Sequence, residues 1–105
     1  MRRLSTEVLN EEGHLVFNMF YVYVLQSTVK KDEIYTGYTK DLKNRLEKHN
    51  KGDVKHTSKY SPWIVSTYIA FDSQTSALDF EKYLKSGSGR VFLRKRLISL
   101  CGRVA

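Results

Sequence analysis

The sequence predicts a small α+β domain in which helices pack on a three-stranded, mainly antiparallel sheet. Three stretches rich in β-branched and aromatic residues indicate strands. A short polar link between the first two suits a hairpin, and helical patterns follow the second and third strands. The predicted order is therefore β-β-α-β-α-α. The 105-residue chain has the length of one domain, which we place at residues 19–105.

The predicted strands cover residues 20–25, 33–37 and 63–71. The first, FYVYVL, is apolar at both odd and even positions, which is typical of a strand covered on both faces. The third begins at Trp63, directly after Pro62, and we expect this tryptophan to be a core residue.

Three helices are expected, and residues that start or stop helices mark their ends. Thr39 is the expected N-cap of the first helix, and Gly52 is expected to end it. Asp72 or Ser73 is expected to cap the second. The predicted helices run from 40 to about 51, from the second cap to about 85, and from about 91 to 100.

Composition excludes several classes of protein. The single cysteine, Cys101, excludes an intramolecular disulfide and fits a reducing compartment. No apolar run approaches the roughly 20 residues that a membrane-spanning helix needs. Residues 1–18 contain three glutamates where a signal peptide needs an apolar stretch. We therefore expect a cytoplasmic protein, with residues 1–18 forming a loosely ordered extension whose removal leaves the fold intact.

The charge distribution favours a polyanionic partner. The net charge is +7; residues 1–18 hold two basic and three acidic side chains, so residues 19–105 carry +8. No acidic residue follows Glu81, whereas seven lysines or arginines do. Among polyanionic partners, this asymmetry favours nucleic acid as the first candidate. The alternative is that the charge serves solubility alone.

One carboxylate lies on the apolar face of the second predicted helix. At about 100° per residue, Ala77, Leu78, Phe80 and Leu84 define an apolar arc, and Glu81 projects inside it. A carboxylate directed at a core is costly unless it is paired, protonated or bound to a metal ion. Glu81 is therefore either a rim residue paired with a lysine or arginine, or a site residue that acts as a base or as a ligand for a hard cation.

The first predicted helix shows a similar pattern. Leu42 and Leu46 mark its buried stripe, and Arg45 and His49 lie on the same side. These two are four residues apart and therefore neighbours on one helical edge. The alternative is an arginine that extends to solvent and a hydrogen-bonded boundary histidine.

Two tyrosines, Tyr23 and Tyr35, occupy the first two predicted strands. Buried phenols need a hydrogen-bond partner, but most find one without a role in catalysis. From the residues alone, core packing and a catalytic phenol pair are both open.

The order of these residues resembles the GIY-YIG nuclease family. Two strands carry the halves of that family's motif, here YVY ending at Tyr23 and YTG beginning at Tyr35. A helix with Arg45 and, four residues later, His49 comes next, and Glu81 lies in DFEKYLKSGSGR. The pattern is most similar to small stand-alone bacterial members related to the amino-terminal nuclease domain of excinuclease C.

The resemblance covers residues 19 to about 97 and implies a fold and an activity. The family fold is a three-stranded antiparallel sheet flanked by helices. The family's activity is hydrolysis of a phosphodiester in DNA with a divalent metal ion, Mg²⁺ or Mn²⁺, and no small-molecule cofactor. A phosphoryl centre that gains charge is stabilised by a fixed guanidinium and a cation, which fits these residue types.

The resemblance also implies a role for each matched position. Tyr23 matches the tyrosine that acts as general base, and Tyr35 the tyrosine that positions water or phosphate. Arg45 matches the arginine that binds the scissile phosphate. His49 matches the position that assists Tyr23 in the proton relay, and Glu81 matches the sole protein ligand of the metal.

Basic residues outside this set are expected to follow the DNA backbone with low sequence specificity. One group lies in the loop after the first helix, for which a plain solvated loop is the alternative, and another in and before the last helix. These predicted DNA contacts are Lys55, Thr57, Lys59, Arg90, Arg94 and Arg96.

Two departures from the family pattern leave an alternative function open. Tyr38 follows Gly37 where several members carry a lysine, and no asparagine occurs after Asn50, although many members have one in the last helix. The first interpretation is a nuclease of DNA repair or recombination. The alternative is a nucleic-acid-binding module with a weak or inactive site. A ribonucleoprotein component that stacks RNA bases on aromatic residues would not explain Glu81.

Overall fold

The structure, a computed structural model, describes residues 7–9 and 15–98 of the chain. Two short strands, β1 (Glu7–Leu9) and β2 (Leu15–Phe17), pair antiparallel in a sheet of their own. Most of the remaining predicted extension and Cys101 lie outside the described residues. The last helical segment ends at Leu97, with Ile98 already extended, and not at the predicted residue 100. The removal of residues 1–18 without loss of the fold stays a prediction.

The main sheet has three antiparallel strands, as the sequence predicts. They are β3 (Phe20–Ser27), β4 (Ile34–Thr39) and β5 (Trp63–Phe71), in the order β4-β3-β5. The central strand places Tyr23 opposite Gly37 of β4. This pairing brings a large side chain next to a residue without one.

The helices are α1 (Leu42–Asn50), α2 (Gln74–Leu84) and α3 (Gly87–Phe92), and α3 continues as a π-helical turn, Leu93–Leu97. The predicted order β-β-α-β-α-α is therefore confirmed. In the described part of the chain, no helix has the length and apolarity needed to cross a membrane.

Strand β3 is buried on both faces, as its apolar sequence predicts. Its even-numbered residues face α2 and the turn after α3, whereas its odd-numbered residues face α1. Helices therefore cover the sheet on both sides, and the side chains of β3 are shared between two cores. One core contains Val22, Val24, Ala77 and Leu84; the other contains Tyr23, Leu25 and Trp63, with Leu42 and Leu46 packed against it.

The ends of α1 differ in part from the prediction. Asp41, not Thr39, is the N-cap, because its carboxylate accepts a hydrogen bond of 3.1 Å from the Asn44 N–H. Thr39 ends β4 and accepts a bond from the Asp41 N–H instead. Gly52 ends the helix as expected, with a φ of 81° that favours glycine.

The second and third helices follow each other more closely than predicted. Ser73 caps α2, one of the two candidates. Ser86 caps α3, which begins at Gly87 rather than Val91. At Gly89 an added Cβ would collide with the backbone of Tyr83. The glycine therefore allows α3 to turn directly against the end of α2.

Candidate active site

Tyr23 lies at the centre of the sheet with its ring on the α1 side. Its side chain is buried, with 1% of its surface exposed. The ring lies over Gly37 of the neighbouring strand: a Cβ at that position would be 2.9 Å from Tyr23 Cε1 and closer still to the phenolic oxygen. The absence of a side chain at Gly37 therefore makes the space that the phenol occupies.

His49, on the last turn of α1, contacts the Tyr23 hydroxyl. Its Nε2 is 2.9 Å from the Tyr23 oxygen, and its Nδ1 is 2.7 Å from Thr57 Oγ1. The Thr57 hydroxyl is in turn 3.2 Å from the Val54 carbonyl oxygen, to which it donates. A buried chain of hydrogen bonds thus runs from β3 through α1 to the following loop.

Tyr35 of β4 completes an aromatic group around the imidazole. Its ring centroid is 4.9 Å from that of His49 and 6.2 Å from that of Tyr23. Tyr35 is partly exposed, whereas Tyr23 and His49 are buried. The two tyrosines therefore meet at His49, with Tyr35 on the outer side.

The electrostatic surroundings of Tyr23 include Arg45 and Glu81. Burial raises the pKa of the Tyr23 phenol well above its ordinary value, and Tyr35 raises that pKa further. The positive charge of Arg45 lowers the pKa of Tyr23, and the negative charge of Glu81 raises it. Ionisable groups on β4, α1 and α2 therefore influence the pKa of one phenol, which is neutral in this state.

Burial lowers the pKa of His49 below its ordinary value, and the charge of Arg45 lowers it further. Both effects disfavour the imidazolium form. The imidazole is therefore neutral at pH 7, with one ring nitrogen able to accept a hydrogen bond.

Glu81 lies on α2 with 21% of its side-chain surface exposed, and it forms an ion pair of 3.1 Å with Lys85. The pairing that the sequence left open as an alternative is therefore present. Its negative charge also raises the pKa of the Tyr23 phenol. In the described part of the chain, no group of three or more His, Cys, Asp or Glu could hold a metal ion. A single carboxylate fits Mg²⁺, which keeps several waters and takes its other ligands from substrate phosphates.

A cleft of about 220 Å³ opens beside Tyr35. Its walls include Tyr35 and three cationic side chains, Lys85, Arg90 and Arg94. Arg96 lines a different cavity, together with residues of β5. Two of the three predicted arginines, Arg90 and Arg94, therefore share a cleft with Tyr35, whereas the third, Arg96, does not.

In the predicted DNA-binding loop, too, only some of the predicted residues are available to bind DNA. Lys55 and Lys59 are exposed, and the Lys59 ammonium lies over the Tyr60 ring at 5.4 Å. Thr57 is only 1% exposed, and its hydroxyl contacts His49 rather than solvent. A buried hydroxyl is not available to a phosphate, so the prediction that Thr57 contacts DNA is wrong.

Two residues that hold the loop were missed as parts of the site. The Asn50 amide donates to the Trp63 carbonyl oxygen at 3.1 Å, and the Trp63 indole N–H donates to the Thr57 carbonyl oxygen at 2.7 Å. Trp63 is a core residue, as predicted. Neither bond has a periodic signal in the sequence, because each joins segments that meet only in the folded chain.

Comparison with known proteins agrees with this geometry. Residues 19–95 match the model of a family described as "GIY-YIG catalytic domain". A UPF0213 protein of Pediococcus pentosaceus is 38% identical over 89 residues, which cover 81% of this chain and 92% of the relative. A UPF0213 protein of Streptococcus pyogenes serotype M5 is 41% identical over 71 residues, covering 67% of this chain and 75% of the relative. The chain therefore belongs to the GIY-YIG family and has a fold consistent with that family.

Proposed function

We propose that this protein is a divalent-metal-dependent DNA endonuclease that acts in DNA repair or recombination. One observation carries the proposal: the buried Tyr23 phenol is hydrogen-bonded to a neutral imidazole and packed beside Tyr35, and the charges of Arg45 and Glu81 act on its pKa. A structural tyrosine needs one hydrogen-bond partner, but it does not need the charges of an arginine on α1 and a carboxylate on α2.

The residues around Tyr23 suit the hydrolysis of a phosphodiester. Arg45 would bind the non-bridging oxygens of the scissile phosphate, which gain charge as water attacks. Tyr35, on the exposed side, would position the attacking water or the phosphate. Glu81 would hold a divalent cation, which when bound supplies positive charge to the phosphate oxygens.

Tyr23 and His49 would move the proton of the attacking water. Because the pKa of Tyr23 is raised, the phenol is not a base while it keeps its own proton. As the water's O–H bond breaks, its proton moves to the Tyr23 oxygen, and the phenolic proton moves across the 2.9 Å bond to His49 Nε2. The leaving 3′- or 5′-oxygen takes a proton from solvent, and the low pKa of His49 favours return of its extra proton.

The cationic side chains around the site suit the DNA backbone. Arg90 and Arg94 line the cleft beside Tyr35, and Lys55 and Lys59 are exposed on the loop after α1. Contacts of this kind position a duplex or single strand without reading its sequence. We therefore expect low sequence specificity and binding that weakens as salt rises.

The test is cleavage of labelled single-stranded, duplex, flap and nicked DNA with Mg²⁺, Mn²⁺ or a chelator. We expect metal-dependent cleavage by the wild type and its loss in Glu81→Gln and Tyr23→Phe. Glu47→Gln and Tyr83→Phe are matched controls, because each makes the same chemical change at an exposed helical position. Both controls should cleave like the wild type.

A binding module of the same fold is the second candidate. The ion pair between Glu81 and Lys85 favours it, since a carboxylate satisfied by a lysine has less need of a metal ion. The second candidate is supported if the wild type binds these DNAs in the presence of Mg²⁺ or Mn²⁺ without cutting them and Glu81→Gln binds them equally well. Cleavage that survives a chelator and both site substitutions would exclude the proposed mechanism.

A further inference from the structure

We infer that Thr57 is a positioning residue: it holds His49 in the tautomer protonated at Nδ1, so that the lone pair of Nε2 faces the Tyr23 hydroxyl. Its meaning for catalysis rests on the nuclease function proposed above. The tautomer itself is a property of the folded chain and can be measured without activity.

The buried chain of hydrogen bonds is complete in only one direction. The Thr57 hydroxyl donates to the Val54 carbonyl oxygen at 3.2 Å, so its oxygen is free to accept from His49 Nδ1–H at 2.7 Å. His49 Nε2 then has no hydrogen and accepts from the Tyr23 hydroxyl at 2.9 Å. Each of the three polar hydrogens, on the Thr57 hydroxyl, on His49 Nδ1 and on the Tyr23 hydroxyl, therefore has an acceptor.

The reverse direction leaves a buried hydrogen without an acceptor. If Thr57 donated to Nδ1, the hydrogen would lie on Nε2 and point at the Tyr23 oxygen. The hydroxyl hydrogen of Tyr23 would then need another acceptor, and among residues 18–98 its oxygen has no hydrogen-bond partner except His49. Tyr23 is 1% exposed, and an unsatisfied hydroxyl at a buried position is costly.

Thr57 is itself held in place by the backbone of its loop. Its N–H donates to the Val54 carbonyl oxygen at 3.1 Å, and its carbonyl oxygen accepts the Trp63 indole N–H at 2.7 Å. A side chain fixed in this way keeps its oxygen aimed at the imidazole without reorganisation when substrate binds. This matters because Tyr23 can receive a proton only while a nitrogen is ready to take the one it gives up.

The experiment is ¹⁵N–¹H correlation NMR of the histidine side chains in the full chain. We expect wild-type His49 to be protonated at Nδ1, with its signals assigned by their loss in His49→Gln. Thr57→Ser keeps the hydroxyl and should keep this tautomer. Thr57→Val keeps the shape and removes the hydroxyl, so a population protonated at Nε2 should appear. Ser61→Ala removes a hydroxyl of the same segment that bonds only a backbone carbonyl and should change nothing.

Single-turnover cleavage of the best DNA substrate gives the second readout. General acid–base assistance is worth on the order of 10²-fold or more, and Thr57→Val should lose about that much while Thr57→Ser stays close to the wild type. Thermal unfolding confirms that each variant is folded. A wild-type His49 protonated at Nε2 overturns the inference on its own, even if Thr57→Val does not fold.

The two readouts also separate this inference from the proposed function. A tautomer that changes as expected in a protein that cuts no DNA supports the role of Thr57 toward His49 and refutes the nuclease. A nuclease whose Thr57→Val variant keeps both the tautomer and the cleavage rate refutes the role of Thr57 and supports the nuclease.

Discussion

Replacing Gly37 by alanine would create a steric overlap between the new methyl group and the Tyr23 ring. The added Cβ would lie 2.5 Å from Tyr23 Cζ and 2.9 Å from Cε1. Carbon atoms in contact are separated by roughly 3.5 Å, so the ring must move by about 1 Å. The ring has little space to move, because Tyr23 is 1% exposed and its hydroxyl is bonded to His49.

The expected cost of Gly37→Ala follows from that overlap. Inserting atoms into a packed core destabilises a protein by about 1–3 kcal/mol. This is opposite in sign to the gain of about 0.4–1 kcal/mol that the same substitution gives where alanine fits. A displacement of about 1 Å in a catalytic group also costs on the order of 10²-fold in rate. We therefore expect both stability and cleavage to fall.

Urea unfolding of the wild type, Gly37→Ala and Gly87→Ala tests this expectation. Gly87 is the matched control, because a Cβ there meets nothing within 4 Å. Combining Gly37→Ala with Tyr23→Ala should remove most of the alanine's cost, since the ring that it strikes is gone. If Gly37→Ala is as stable and as active as the wild type, the phenol does not occupy the space above Gly37 and our placement of Tyr23 is refuted.

Three further predictions concern pH, salt and the N-terminal segment. The pKa of His49 lies below its usual 6.5, so the folded chain binds fewer protons there than the unfolded chain, and the free energy of unfolding should fall as pH drops through about 6.5. His49→Gln should flatten that dependence in urea titrations. Arg94→Ala should lower the salt slope of DNA binding by about one, measured by fluorescence anisotropy, whereas Arg96→Ala, whose side chain lines a separate cavity, should change it less. Deleting residues 1–18 should leave thermal unfolding and cleavage unchanged; a lost transition would contradict the domain boundary.

Residue patterns along the chain could predict the strands and several site candidates because those signals are local. The apolar run of β3 showed that both of its faces are covered, and the helical period placed His49 and Glu81 on inward-facing arcs. A polar side chain on an apolar face costs free energy unless it has a partner, so its position makes it a candidate site residue.

The partners of those residues could not be predicted, because they depend on which segments meet after folding. Thr57 has the composition of an exposed loop residue, and only the seating of the loop on α1 buries it against His49. Likewise, no pattern along the chain indicates that the Tyr23 phenol occupies the space left by the absent side chain of Gly37. Asn50 joins α1 to β5 through the backbone of Trp63, a contact between segments that meet only after folding.

Trp63 is the chain's sole tryptophan, and its indole N–H is bonded to the carbonyl oxygen of Thr57. The wavelength of tryptophan emission depends on the polarity and hydrogen bonding around the indole. The protein therefore contains its own optical probe. The indole is bonded to the carbonyl group of Thr57, the same residue whose hydroxyl contacts His49. Detachment of the loop, whether caused by mutation, pH or a bound strand, should shift that emission in unlabelled protein and on the timescale of a stopped-flow experiment.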